Sequence, residues 1–245
     1  MDFYNKSEQS ILLNAENIIV GFSGGVDSTL VLAATNQFLE AHNKKNCLTA
    51  LHINHQTQSD SSSWQIHCEK FCKEHNINFS CKSVEIKESG QGYEAAARSA
   101  RLDIFNAFDE ATVIILGHHL DDQVETVFFR VLRGTGLKGL TGMQRHIKIK
   151  DKDFIRPLLH LTKEEIFKQA IEYKLSFIED QSNTDNAYSR NFLRNEIIPQ
   201  ISKRWPGAKK NTARMANLLS KQSSLYHRFL LERLATVSYT HLTLP

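Results

Sequence analysis

Ser23, Gly24, Gly25, Val26, Asp27 and Ser28 stand in unbroken order between the apolar run NIIVGF and a stretch with helical apolar spacing. Two adjacent glycines let the chain turn tightly and bring N–H groups against an oxyanion with no Cβ in the way, and the serines add hydroxyl donors. A helix starting near Val26 directs its positive dipole end at the same point. These residue types in this order make an anion site. Asp27 is the exception, because a carboxylate in a phosphate cradle repels its ligand unless a cation lies between them. Mg2+ bridging carboxylate and phosphate oxygens removes that conflict. The run does not fit G-x-x-x-x-G-K-[ST], and no lysine lies near it in sequence. A cradle that holds pyrophosphate without that lysine suits chemistry at the α-phosphate, with pyrophosphate leaving. A plain serine-capped glycine turn accounts for S-G-G alone, but not for S-G-G-x-D-S after a strand.

A second group, HHLDDQVET, sets His118, His119, Asp121, Asp122 and Glu125 at an expected strand end and helix start. The dipole favours carboxylates there, and they can hold a metal ion or orient an amine; Mg2+ is expected on Asp27 and Asp122. Capping explains one aspartate at such a place, not two aspartates with two histidines. RGTGLKGLTGM follows, a glycine-rich loop expected to be mobile and to bring Arg133 and Lys138 close to a phosphate backbone, though an ordinary surface loop has the same composition. Arg190 and Arg194 lie on one expected helical face, able to meet phosphates or stacked bases.

The frame for these residues is legible as alternation. Strands are expected at 17–22, 47–54, 78–84 and 112–117, and helices at 26–42, 61–76, 92–111 and 121–132. Strands alternating with helices, with no hairpin turns, imply parallel strands and right-handed crossovers. The fold class is therefore α/β, a doubly wound, mainly parallel open sheet of Rossmann-like type, followed by a small helical C-terminal segment. Ligands bind such sheets beyond the carboxyl ends of the strands, where the strand order reverses. Ser23–Ser28, His52–His55 and His118–Asp122 are expected to gather on that rim.

The chain has 245 residues, 41% of them hydrophobic, enough for one α/β domain and a short further segment. No apolar run approaches about eighteen residues, and MDFYNKSEQS has neither the basic nor the apolar region of a secretory signal, so the chain reads as cytoplasmic with no membrane partner. Four cysteines are too few and too unevenly spread for a disulfide framework. The net charge of +3 hides an asymmetry: Lys203, Arg204, Lys209, Lys210, Arg214, Lys221, Arg228 and Arg233 face the single acid Glu232. A second basic stretch holds Arg130, Arg133, Lys138, Arg145, Lys148, Lys150 and Lys152 against Asp151. Two such patches suit a polyanion gripped locally, or else a solvated helix face and a solubilising loop.

SGGVDS resembles the loop of the N-type ATP pyrophosphatases. GYEAAARSARLDIF, LGHHLDDQVETVFFRVLRGTGLKGLTGM and IEDQSNTDNAYSRNFLRNEIIPQI, in that order, narrow the resemblance to the tRNA(Ile)-lysidine synthetases over roughly residues 17–205. The resemblance implies an ATP- and Mg2+-dependent ligase that adenylates the wobble cytidine of tRNA(Ile) with a CAU anticodon, then joins L-lysine to it and releases AMP and pyrophosphate. It implies ATP contacts from Ser23 to Ser28 and from Arg98 and His118, and tRNA contacts from Arg133, Lys138, Arg190 and Arg194. Spacing alone makes Arg98 a surface partner of Glu94. Catalysis falls to Asp27, His119, Asp121 and Asp122, of which the last three are candidates to take the proton of the lysine ε-amine. The oligomeric state stays open, a dimer included.

His67, Cys68, Cys72 and His75 lie at helical spacing and are expected to line a core face rather than bind zinc. The related tRNA thiolation enzymes need a C-x-x-C pair, which this chain lacks, so thiolation or amidation is a weaker alternative. His52 and His55 are expected to be strand-end polar residues. Residues 1–205 are read as the catalytic domain and 206–236 as a basic helical linker opening a truncated tRNA-binding region. The stretch 237–245 resembles translated sequencing-adapter read-through and is set apart from the fold. A truncated chain that binds nucleotide or tRNA without turnover is the alternative function.

Overall fold

The computed structural model describes residues 1, 3–54, 61–84, 93–179 and 189–241, the side chains of 61, 62, 93–95 and 235–241 excepted. His55, most of the polar loop after it, the side chain of Glu94, residues 180–188 and the last four residues lie outside that set. The chain divides into two compact units: one holds residues 1–119 and 145–181, the other 120–144 and 182–245.

The first unit is built on a six-stranded sheet. Its strands are β1 (Asn17–Gly21), β2 (Leu48–Asn54), β3 (Asn78–Ser83), β4 (Thr112–Ile115), β5 (His146–Ile149) and β6 (Lys152–Ile155), in the order β3-β2-β1-β4-β6-β5. β1 pairs in parallel with both β2 and β4, β2 with β3, and β4 with β6. Ile18, Ile19 and Val20 are buried, as a strand covered on both faces requires. The strand order reverses between β1 and β4, so the chain leaving each of these strands lies at the switch point where such sheets bind ligands.

The expectation of no hairpin fails at one edge. β5 and β6 pair antiparallel through Lys150 and Asp151, which take φ 47 and 64. A two-residue turn with positive φ at both positions matches the twist of the flanking strands, but here it carries Lys-Asp where Asn-Gly is the usual signal, which hides it in the sequence. The hairpin also breaks up the second basic stretch. Lys152 is buried and donates to the Asn106 carbonyl at 3.2 Å. Arg145 grips the buried Glu8 through two bonds of 2.7 and 2.9 Å and donates to the Pro157 carbonyl. Arg133, Lys138, Lys148 and Lys150 remain exposed.

Helix α1 (Lys6–Asn14) starts with a capping box from Asn5 and Glu8. Helix α2 (Val26–Ala41) is the central helix: eleven of its sixteen residues are buried. α3 (Ser61–Glu74) buries Cys68, Phe71 and Cys72 in the main core, which is the core-lining role read from their spacing. α4 (Tyr93–Asn106) stops short of the expected residue 111, and a turn at Asp109–Thr112 leads into β4. α7 (Lys163–Glu172), capped by Thr162, packs on α2.

The second unit is helical. α5 (Leu120–Leu132), α6 (Leu137–Leu140), α8 (Ser189–Phe192), a π-helical turn over Leu193–Ile197, α9 (Ile198–Arg204) and α10 (Ala208–His241) make it up. Its core is Leu120, Val124, Leu193 and Ile198, with Phe128 and Phe129 packed on it. α10 runs to His241, past the point where its charge pattern fades. No helix among the described residues is long and apolar enough to cross a membrane.

Candidate functional site

In the first unit, Phe22 ends β1 by donating to the Leu51 carbonyl, and Gly24 turns the chain at φ 86. A side chain at Gly24 is strained by that φ and meets the Cys68 sulfur at 3.0 Å. Ser23 and Ser28 bind each other: the Ser23 amide donates to Ser28 Oγ at 3.2 Å and the two hydroxyls are 3.1 Å apart. Ser28 is itself anchored, donating to the Gly25 carbonyl at 3.0 Å, as does Thr29 at 2.9 Å. Gly25 is the N-cap of α2 and supplies no side-chain cap, so the first amides of a sixteen-residue helix face the loop without one. The segment after α7 clasps the loop from outside, the Ile178 amide donating to the Gly24 carbonyl at 2.9 Å. The glycine turn read from the sequence is therefore present, held by these hydrogen bonds ahead of the helix start.

Asp27 stands on the first turn of α2 with its side chain 24% exposed. Its Oδ2 accepts from Lys163 Nζ at 2.6 Å. Its Oδ1 is buried, accepts no hydrogen bond and lies 3.8 Å from His119 Nε2. A buried carboxylate oxygen with an open lone pair suits a cation ligand, so Asp27 fits the Mg2+ expected of it. Lys163 is the residue that sequence reading missed. Lys163 reaches Asp27 from the start of α7, and only the packing of α7 on α2 reveals it.

Gly117, after β4, lies against the start of α2: a Cβ there meets the Asp27 carbonyl carbon at 3.0 Å and its oxygen and the Ser28 nitrogen at 3.1 Å each. His119 is buried. At the end of β2, His52 bonds the Phe22 carbonyl at 2.9 Å, and burial pushes its pKa down, which keeps the ring neutral and structural. Cys68 lies 3.6 Å from His52, and burial pushes the Cys68 and Cys72 thiols up to about 12. Arg98 is exposed on α4. Its charge, after burial as the larger cause, pushes the pKa of Arg156 down to about 10. Arg156, buried just past β6, is a second cation at the strand ends that carries no motif.

In the second unit, the acidic face of α5 is neutralised from within. Arg194 holds Glu125 through two bonds of 2.6 and 2.9 Å and reaches Asp122 at 3.2 Å. Lys209 Nζ is 2.6 Å from Asp121. Arg194 thus meets carboxylates, while Arg190 and Arg133 lie over the Phe129 ring. The loop expected to be mobile is tied down: Gln123 exchanges bonds of 2.9 and 2.6 Å with the Met143 backbone, and Arg130 donates to the Gly139 and Gly142 carbonyls at 3.0 Å each. Lys138 stays exposed on α6.

Comparison with known proteins follows the same outline. A family model described as the PP-loop domain matches residues 2–201. A tRNA(Ile)-lysidine synthase of Legionella pneumophila strain Paris is 41% identical over 205 residues, 82% of this chain and 46% of that one. Those of Histophilus somni strain 2336 and Escherichia coli O157:H7 are 38% and 37% identical over 87% and 91% of this chain, and 50% and 52% of theirs. The chain spans about half the length of the curated relatives it matches. Among solved structures, the U34-tRNA thiolase NcsA from Methanococcus maripaludis superposes with a TM-score of 0.65 at 20% identity, covering 88% of this chain and 78% of that one, a likeness of fold.

Proposed function

The chain belongs to the PP-loop family, and from that premise we propose that it adenylates the wobble cytidine of tRNA(Ile) with a CAU anticodon and joins L-lysine to it, in the cytoplasm. The observation that carries this is the cradle: a glycine turn and uncapped helix start for phosphate, beside a buried carboxylate oxygen that no protein donor satisfies. The names of relatives 37–41% identical support the choice of substrate.

In this reading Ser23, Gly24, Gly25, Val26 and Ser28 hold the β- and γ-phosphates of ATP by backbone amides and hydroxyls. Asp27 holds Mg2+, which supplies charge compensation at the phosphates. Lys163, seated on Asp27, lies ready to move onto phosphate oxygens. Arg98 and Arg156 add positive charge for the nucleotide, with His118 beside it. Cytidine O2 attacks the α-phosphorus, the bond to the β-phosphate oxygen breaks, and pyrophosphate leaves with the electron pair. The neutral ε-amine of lysine then attacks C2, AMP leaves, and the amine gives up a proton. Asp121 and Asp122 are occupied by Lys209 and Arg194, so His119 takes that proton. Arg133, Lys138 and Arg190 meet the RNA, and Arg194 serves it by fixing α5. Residues 1–205 supply the catalysis and the basic stretch 206–236 opens the RNA-binding region, with 237–245 outside both.

The half-length match favours one second reading, binding of nucleotide and RNA without turnover. Thiolation is disfavoured, because Cys68 and Cys72 are buried thiols held protonated. Release of pyrophosphate from ATP that requires both tRNA and lysine, and that Asp27→Ala abolishes, is the expected result. ATP binding with no such release establishes the second reading instead.

A further inference from the structure

We propose that Phe129 is a platform that gathers the guanidinium groups of Arg133 and Arg190 for the bases of a single-stranded RNA segment, an inference that rests on the tRNA reading above. The guanidinium carbons of Arg133 and Arg190 lie 5.0 and 5.6 Å from the Phe129 ring centroid. Both are within reach of the ring's quadrupole. The other two cation–π contacts among the described residues, Arg204 on Trp205 and Arg233 on Phe229, each join one arginine to one ring within a single stretch of chain. Phe129 instead gathers two arginines from separate elements, the end of α5 and α8.

The ring is fixed, since Phe129 packs on the core of Leu120, Val124, Leu193 and Ile198. Arg133 is exposed, so its guanidinium, 5.0 Å from the ring centroid, is accessible to a base. Val131, Leu132 and Leu137, next to it in the chain, are 50%, 70% and 46% exposed, and Lys138 is exposed beside them. Apolar surface interleaved with planar cations is the character of surfaces that stack unpaired bases while neutralising phosphates. A chain that only needed charge would be served by lysines; arginine on an aromatic ring adds a fixed plane.

The test is fluorescence anisotropy of a tagged CAU anticodon stem-loop RNA with the whole chain, comparing wild type with Phe129→Leu, Phe129→Tyr and Arg133→Lys. Phe129→Leu and Arg133→Lys are expected to weaken binding about threefold to tenfold. Phe129→Tyr keeps the ring and stays within about twofold. The slope of affinity against salt stays unchanged in all three, because both charges remain. The proposal is overturned if Phe129→Leu binds as wild type does, or if Phe129→Tyr falls as far as Phe129→Leu, which makes the ring mere packing. If wild type binds no RNA, the tRNA reading falls with it, whereas normal binding by Phe129→Leu sinks the platform alone.

Discussion

Asp27 in the first unit and Glu125 in the second are both carboxylates near the start of a helix that follows a parallel strand, and both sit among other polar side chains. They end in opposite electrostatic states. Glu125 is buried and held by two bonds from Arg194, with Asp122 sharing the same guanidinium and Asp121 taken by Lys209. Asp27 keeps one oxygen buried and without a hydrogen bond, and the lysine on its other oxygen, Lys163, has a side chain half exposed. A carboxylate that the protein has already neutralised from every side serves architecture first. One left with an open lone pair keeps the capacity to accept a further donor or cation.

The sharpest way to break this contrast is to remove each charge at constant shape. Glu125→Gln strips the bidentate partner from a half-buried guanidinium and is expected to cost about 3 kcal/mol of stability, read by urea denaturation. Asp27→Asn is expected to change stability by no more than about 0.5 kcal/mol, because it breaks only an exposed-lysine contact, while removing Mg2+-dependent ATP binding. Equal destabilisation by the two would erase the distinction.

Gly117→Ala probes the cradle by steric means. Its Cβ meets the backbone of Asp27 and Ser28 at 3.0 to 3.1 Å, so the start of α2 has to shift. A stability loss of about 1–2 kcal/mol is expected, together with an ATP affinity reduced by about tenfold or more, by calorimetry. An unchanged ATP affinity would show that the cradle tolerates displacement.

A last contrast separates the units by pH. All four cysteines are in the first unit. Burial raises Cys68 and Cys72 from 9.0 to about 12 in the folded state, so the stability they confer is complete below pH 9 and is lost as pH rises from there toward 12. The expected loss is about 1 kcal/mol per thiol for each pH unit above 9. Melts followed through Trp64 should show it and melts followed through Trp205 should not, and replacing both cysteines by alanine should lessen the slope of the Trp64 curve.

Composition and periodicity by themselves determined the strands, the helices between them and the glycine turn, because each rests on a pattern only a few residues long. Ile18–Val20, Gly24 and the apolar face of α2 announce themselves locally. Tertiary structure alone decided the rest. The β5–β6 hairpin escaped because its turn uses Lys150 and Asp151, residues whose positive φ the fold imposes. The lysine of the cradle, Lys163, and the guanidinium that closes the acidic face, Arg194, come from far along the chain, and no local pattern encodes which charge meets which. Side-chain pairing of that kind is a matter of distance in space, and distance in space is set only when the helices have packed.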